Sequence, residues 1–203
     1  MARHVSVYDD MAARKLGFEI LRLSAARIFN ESDALGVDLV CIGTDRATGD
    51  CLGPLVGDIM APHVRETGSL RLYGTLERPV HATNLERTIE SNRLPAPRRL
   101  LIAVDACLGK AANVGNITVG RGSLTPGASL SKELPALGDI FITGVVNARP
   151  EFPGMEAATL QSTRLGTVMR MARTISEGLI LGLDLLPQAH VAPDGYCYID
   201  GRR

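Results

Sequence analysis

Residues 37–54, Val37-Asp38-Leu39-Val40-Cys41-Ile42-Gly43-Thr44-Asp45-Arg46-Ala47-Thr48-Gly49-Asp50-Cys51-Leu52-Gly53-Pro54, decide the fold. Val37 to Ile42 is a short apolar run of strand length that stops at Gly43, the pattern of a buried strand. The loop from Gly43 to Gly53 leads to Pro54, which sits where a first-turn proline belongs. Leu55, Val56, Ile59, Met60 and Val64 then supply one helical face. Strand, glycine-bearing loop and helix in this order form one α/β unit.

The flanking sequence repeats the theme. Upstream, Leu16, Ile20, Leu23 and Arg27 recur at helical spacing and predict a helix from about Met11 to Phe29, broken by Asn30-Glu31-Ser32-Asp33. Downstream, Leu70 to Tyr73 and Pro79 to His81 are strand-like, and Thr83 followed by Glu86 has the spacing of a capping box for a helix through about Asn92. Arg99 to Val104 (RLLIAV) is the most strand-like run and is expected at the centre of a sheet, ended by a loop that begins at Asp105. Val114 to Val119 and Ile140 to Val146 are further strands, separated by the small-residue connection Gly120 to Gly127. One long helix is expected from about Ala157 to Leu183, with Leu165, Val168, Ala172, Ile175 and Leu179 on a stripe, and Asp194-Gly195 reads as a turn. Alternating strands and helices without repeat or linker predict a single α/β domain over residues 1–203: three α/β/α layers around a mostly parallel or mixed sheet.

Composition narrows the function classes. The chain has 203 residues, 45% of them apolar, enough for one core. Its 22 basic residues balance its 22 acidic ones, so the basic excess of a general nucleic-acid or anionic-membrane binder is absent. No stretch reaches the roughly 18 apolar residues of a membrane span, and the opening Met1 to Asp10 lacks an apolar leader core, so a cytoplasmic protein is expected. Cys41, Cys51, Cys107 and Cys197 form no CxxC pair and are expected to be free thiols.

In open α/β sheets ligands bind beyond the carboxyl ends of the strands. The loops expected there, after Ile42 and after Val104, both carry carboxylates. Asp50 and Asp105 are the candidate catalytic pair, with environments able to push their proton affinities apart so that one serves as base and the other as acid toward water. Two other roles stand beside this one: Asp50 as a helix N-cap and Asp105 as a turn former. A divalent ion held between the two is a further alternative. Gly43, Thr44 and Gly53 of the first loop are candidate substrate-binding positions, their backbone N–H groups facing a developing oxyanion. Pro126, Gly127 and Asn147 lie in small-residue segments that suit either a substrate groove or tight strand turns. No Gly-x4-Gly-Lys-Ser/Thr or GxGxxG pattern is present, which excludes the common nucleotide cradles. His81, at a strand end, reads either as a metal ligand or as a structural histidine, and neither a cofactor nor a resident metal is called for.

The blocks CIGTDRATGDCLGPLVG, YGTLERPVHATNL, IAVDACLG, LTPGASLSKELPALGDIFITGVVN and LQSTRLGTVMRMA closely resemble the YyaC-type sporulation proteins of spore-forming bacteria, a family related to the germination protease. The resemblance covers roughly Val37 to Leu183. It implies a phosphorylase/hydrolase-like fold, shared with the hydrogenase maturation endopeptidases, and an endopeptidase activity. Asp50, in Thr48-Gly49-Asp50-Cys51-Leu52-Gly53-Pro54, and Asp105, in Asp105-Ala106-Cys107-Leu108, match the two aspartates proposed as catalytic in the germination protease. The implied partner is a protein or peptide, with small acid-soluble spore proteins as the first candidates. A binding protein that keeps the cleft without catalysis is the alternative, and a homo-oligomer is compatible with either. In the maturation endopeptidases two such carboxylates and a histidine bind nickel of the client, and no histidine here aligns to that third position. The chain is also much shorter than the germination protease, has no segment resembling its pro-region, and reads Pro126-Gly127-Ala128-Ser129-Leu130-Ser131-Lys132 where that enzyme has a glycine-richer run.

Overall fold

Alternation along one strand sets the layers. The strand Arg99–Gly109 directs Leu100, Ile102 and Val104 into one hydrophobic core and Leu101 and Ala103 into a second, all of them 1% exposed or less. A strand covered on both faces reads as an unbroken apolar run.

The computed structural model describes residues 2–30, 36–64, 69–126, 135–191 and 197–199. Within them the elements are β1 (Arg3–Ser6), α1 (Ala12–Asn30), β2 (Gly36–Cys41), α2 (Leu52–Met60), β3 (Leu70–Tyr73), α3 (Leu85–Asn92), β4 (Arg99–Gly109), β5 (Asn116–Arg121), β6 (Ile140–Ala148), α4 (Glu156–Gln161) and α5 (Leu165–Leu185). A small antiparallel pair, β7 (Ala189–Val191) and β8 (Cys197–Ile199), follows. The main sheet has the order β1-β5-β6-β4-β2-β3. It is mixed: β6, β4, β2 and β3 are mutually parallel, whereas β5 is antiparallel to both β6 and β1. The expected α/β architecture is present, with β4 central. Helices α1, α2 and α5 cover one face, through residues such as Ile20, Val56 and Ile175. The other face is closed by α3, through Leu85 and Ile89, together with Leu94, Leu124 and Leu137 from the connections.

Three local expectations are corrected, and one short strand had no sequence signal. β4 does not end at Val104: it runs on through Gly109, because Thr143 to Ala148 of β6 pair with Asp105 to Gly109, with one register shift at Cys107/Leu108. Asp105 is therefore a strand residue opposite Thr143 rather than the first residue of a loop. The single helix expected over 157–183 is two helices. In a continuous helix the Thr159 carbonyl would accept from the Thr163 N–H, but here it accepts from Asn147 Nδ2 (3.1 Å) and Thr163 Oγ1 (2.9 Å), while the Thr163 N–H turns back to Leu160. The Thr83–Glu86 capping box does not form, since α3 starts one residue later with Asn84 at its N-cap position. Finally, β1 carried no sequence signal, being four residues long (RHVS) with Val5 as its one fully buried side chain. Asn30 ends α1, whereas Glu31-Ser32-Asp33, Gly127 and the Asp194-Gly195 turn lie outside the described residues.

An ion pair anchors the opposite end of the sheet from the strand C-termini. Asp38 on β2 is fully buried and accepts from Arg99 Nε at 2.7 Å, while Arg99 also donates to the Val37 carbonyl at 2.7 Å. Removing one partner of such a pair leaves an uncompensated buried charge, which costs about 3–5 kcal/mol. Arg99→Met is accordingly expected to lower unfolding stability by about 3 kcal/mol or more, measured by urea denaturation. A change below about 1 kcal/mol would show that the pair is replaceable by apolar packing.

Candidate functional site

Three consecutive backbone N–H groups at the end of β2 assemble the C-terminal edge of the sheet. Ile42 N–H donates to the Val104 carbonyl (2.7 Å), Gly43 N–H to the Val80 carbonyl (2.8 Å) and Thr44 N–H to the Asp50 carbonyl (3.1 Å). Each acceptor is, or immediately precedes, a titratable residue: Asp105 follows Val104, His81 follows Val80, and Asp50 is itself the third acceptor. The parent strands β2 and β4 are parallel neighbours in continuous register from Gly36↔Arg99 to Cys41↔Val104. The two aspartates thus belong to adjoining segments of one edge, where ligands bind in open α/β sheets.

Glycines make this convergence sterically possible. Gly43 has φ +142°, and an added Cβ there would overlap the Asp50 carbonyl oxygen and touch Pro54 Cδ at 3.1 Å. At Gly53 a Cβ would overlap the Ile42 carbonyl oxygen, so the first turn of α2 seats directly on the strand end. The Gly43 and Thr44 N–H groups, expected to face an oxyanion, donate instead to the Val80 and Asp50 carbonyls. Those of Asp50 and Cys51 both go to the Ala47 carbonyl, at 3.0 and 3.1 Å. The loop amides hold the loop together.

Asp50 lies on a 3-10 turn, Gly49–Cys51, that runs into α2. The N-cap position of α2 is Cys51 and that of the turn is Thr48, so Asp50 does not serve as the helix cap. Its carboxyl is half-buried, and burial raises its proton affinity above that of an ordinary aspartate; the Thr44 N–H and the charge of His81 oppose that rise. Asp105 is 8% exposed, and its Oδ1 accepts from the Ala106 N–H at 2.8 Å. By strand alternation its side chain lies on the α3 face of β4, with Leu101 and Ala103.

The other candidates separate. Thr44 Oγ1 accepts from the Arg46 N–H at 3.3 Å, closing a local turn. Asn147 is half-buried and binds α4 to β6: its Nδ2 donates to the Thr159 carbonyl and Thr163 Oγ1, and its Oδ1 accepts from the Ala148 N–H. Pro126 is buried after the Leu124↔Leu137 bridge, and Gly127 is outside the described residues. The Cys41, Cys51 and Cys107 thiols are all pushed up by burial, which disfavours the nucleophilic thiolate. Among the described residues no group of three or more His, Cys, Asp or Glu side chains is arranged to hold a metal ion. No described helix is long and apolar enough to cross a membrane.

Residue-type patterns did not reveal what supports the edge. Asn84 is the clearest case: its Oδ1 accepts from the His81 N–H (2.8 Å) and its Nδ2 donates to the Pro79 carbonyl (2.9 Å), closing the turn that presents His81. The available signal was the side-chain amide three residues after a strand-ending histidine, in His81-Ala82-Thr83-Asn84.

Fold and site together define an α/β protein in which the backbone segments carrying Asp50, His81 and Asp105 meet at the C-terminal edge of the parallel strands. Residues 7–178 match the family described as "Protein of unknown function (DUF1256)", and the chain belongs to that family. It is 47% identical over 143 residues to the uncharacterized protein YyaC of Bacillus subtilis (strain 168), a match spanning 70% of this chain and 67% of that protein. Among solved structures it is similar to the NiFe hydrogenase maturation protease HycI from Thermococcus kodakarensis KOD1, at 17% identity and a TM-score of 0.39 over 76% of this chain and 97% of that one.

The requirement for glycine at 43 is directly testable. Gly43→Ala is expected to destabilise the fold by about 1–3 kcal/mol, because the methyl group meets backbone at a positive φ. Amide NMR shifts should change mainly over 43–51 and 80–81; an unperturbed spectrum with wild-type stability would refute the close approach.

Proposed function

We propose that this chain is an endopeptidase-type hydrolase of sporulating cells that cleaves a protein client with Asp50 and Asp105. The observation that carries the proposal is the placement of both aspartates on segments bonded to the same strand end, Ile42 to Thr44. Asp50 is the base. Burial strengthens its hold on a proton, which suits it to take one from a water molecule as the water oxygen bonds to the peptide carbonyl carbon. The same proton passes to the amide nitrogen as the C–N bond breaks, which restores the carboxylate. Asp105, oriented by the Ala106 N–H, holds the second hydrogen of the water and fixes its direction of attack. Peptide strands of small acid-soluble spore proteins are the first clients to test, a choice supported by the sequence resemblance to sporulation proteins.

A specific observation favours a second reading, binding without cleavage. Phe152 and Met155 are 74% and 51% exposed on the connection between β6 and α4, and α4 packs on the turn that carries Asp50. Exposed apolar side chains beside a site are ordinary features of peptide-binding surfaces.

Incubating purified small acid-soluble spore proteins with the wild type, Asp50→Asn and Asp105→Asn, read by mass spectrometry, separates the two. Cleavage that falls about 100-fold or more in each folded variant is expected for the aspartate pair. Binding by a folded wild type that cuts nothing would replace hydrolysis with the second reading. The pH profile adds a sign. Asp50 must be ionised to act as base, so cleavage should fail as pH drops through its raised value, above the usual 3.8 of an aspartate. An acid limb at or below 3.8 would exclude Asp50 as the base.

A further inference from the structure

His81 is held as firmly as the two aspartates. Val80 pairs with Ile42 as a parallel bridge and accepts from the Gly43 N–H, which places the backbone of His81 directly against the first loop. The Asn84 carboxamide closes the 79–84 turn from behind through its bonds to the His81 N–H and the Pro79 carbonyl. Thr83 Oγ1 lies 2.9 Å from His81 Nδ1, which fixes the ring. Gly43 is the shared wall: its N–H engages the Val80 carbonyl, and its missing side chain leaves room for the Asp50 carbonyl. His81 and Asp50 therefore flank one glycine.

We propose that His81 is a positioning residue for Asp50: its ring, held across Gly43 by Thr83 and Asn84, steadies the half-buried Asp50 carboxylate for accepting a proton from water. The role rests on the reading of Asp50 as a base. With Nδ1 engaged by Thr83, Nε2 is the ring nitrogen left for a contact outside the 79–84 turn.

Charged groups of both signs surround Asp50, beginning with Arg46 of its own loop. Asp45 of the same loop is a second acid, Cys51 of the same turn is a thiol pushed up by burial, and Asp105 on β4 is another carboxylate. From α4, packed on the turn through Leu160, comes Glu156, whose Oε2 accepts from the Gly154 N–H. α5 brings Arg164 at its N-terminal boundary, an exposed residue beyond α4. Burial disfavours a charged Asp50, and the Thr44 N–H and the charge of His81 favour it.

The test follows the carboxyl carbon of Asp50 by NMR in the full chain labelled with 13C-aspartate, assigned by its loss in Asp50→Asn. In His81→Asn, which keeps a neutral polar group beside Thr83, the Asp50 titration midpoint is expected to move upward. In His81→Lys, which restores a positive charge, it should return toward the wild-type position. Thr83→Val, at an exposed position, should move it upward by less, and it serves as the probe should His81→Asn fail to fold. A midpoint unchanged in these variants would overturn the proposal, because a merely structural histidine alters stability and leaves Asp50 where it was. The readout needs no turnover. A wild type that cleaves nothing removes the hydrolase reading while the Asp50–His81 coupling is still decided by the titration. Cleavage whose acid limb is the same in wild type and His81→Asn removes the coupling and keeps the hydrolase.

Discussion

Everything at the functional edge depends on how β2 ends. A strand that simply stopped at Ile42 would leave successive N–H groups unpaired in a buried place, and each would cost about 1–3 kcal/mol. Here the N–H groups of Ile42, Gly43 and Thr44 are satisfied by three different segments, the neighbouring strand, the turn before α3 and the turn before α2. Satisfying backbone polarity and assembling the site are consequently one event. The arrangement also explains why residue 43 is glycine, since a side chain would occupy the space of the Asp50 carbonyl oxygen.

The two ends of β2 treat buried acidity in opposite ways. Asp38 faces an arginine at 2.7 Å in a nearly dry setting, a pairing that fixes a charge permanently. Its Oδ2 has no hydrogen-bond donor among the described residues, so even this anchor is incompletely satisfied. On Asp50, by contrast, burial acts in one direction and the Thr44 N–H and a histidine in the other. A group held between those opposing influences changes its protonation more readily than one locked to a guanidinium. The first arrangement is suited to holding strands together, the second to moving a proton.

The sequence was most legible where one physical demand dominated. RLLIAV read as a central strand because both faces are covered, and Gly43, Gly53 and Pro54 marked the loop because backbone meets backbone there. Asp50 and Asp105 stood out as carboxylates at strand ends, and the resemblance to a known family selected the same two. Legibility failed where tertiary partners decide. The extension of β4 past Asp105 depends on β6 being long enough to pair with it, which no local window records. The break between α4 and α5 depends on Asn147, more than ten residues upstream, capturing the Thr159 carbonyl. Thr83 read as a helix cap and is instead the partner of His81, because α3 begins at Leu85.

That broken helix has a consequence for the edge itself. Asn147 ties α4 to β6, and α4 in turn presses on the 3-10 turn, where a Cβ on Gly49 would meet Leu160 Cδ2 and Thr163 Oγ1 at 2.8 Å. A continuous helix would have kept the Thr159 carbonyl for its own ladder and directed residues 156–161 along the axis of α5. Breaking it at Thr163 frees a short helix to pack at the strand ends, directly behind Asp50. The turn is thereby clamped between the Thr44 N–H on one side and α4 on the other. Orientation of a catalytic group to within a fraction of an ångström requires support of this kind from beyond the residues that touch substrate. Asn147, whose segment suited either a substrate groove or a tight strand turn, supplies that support through its observed bonds, by fixing the helix that fixes the turn.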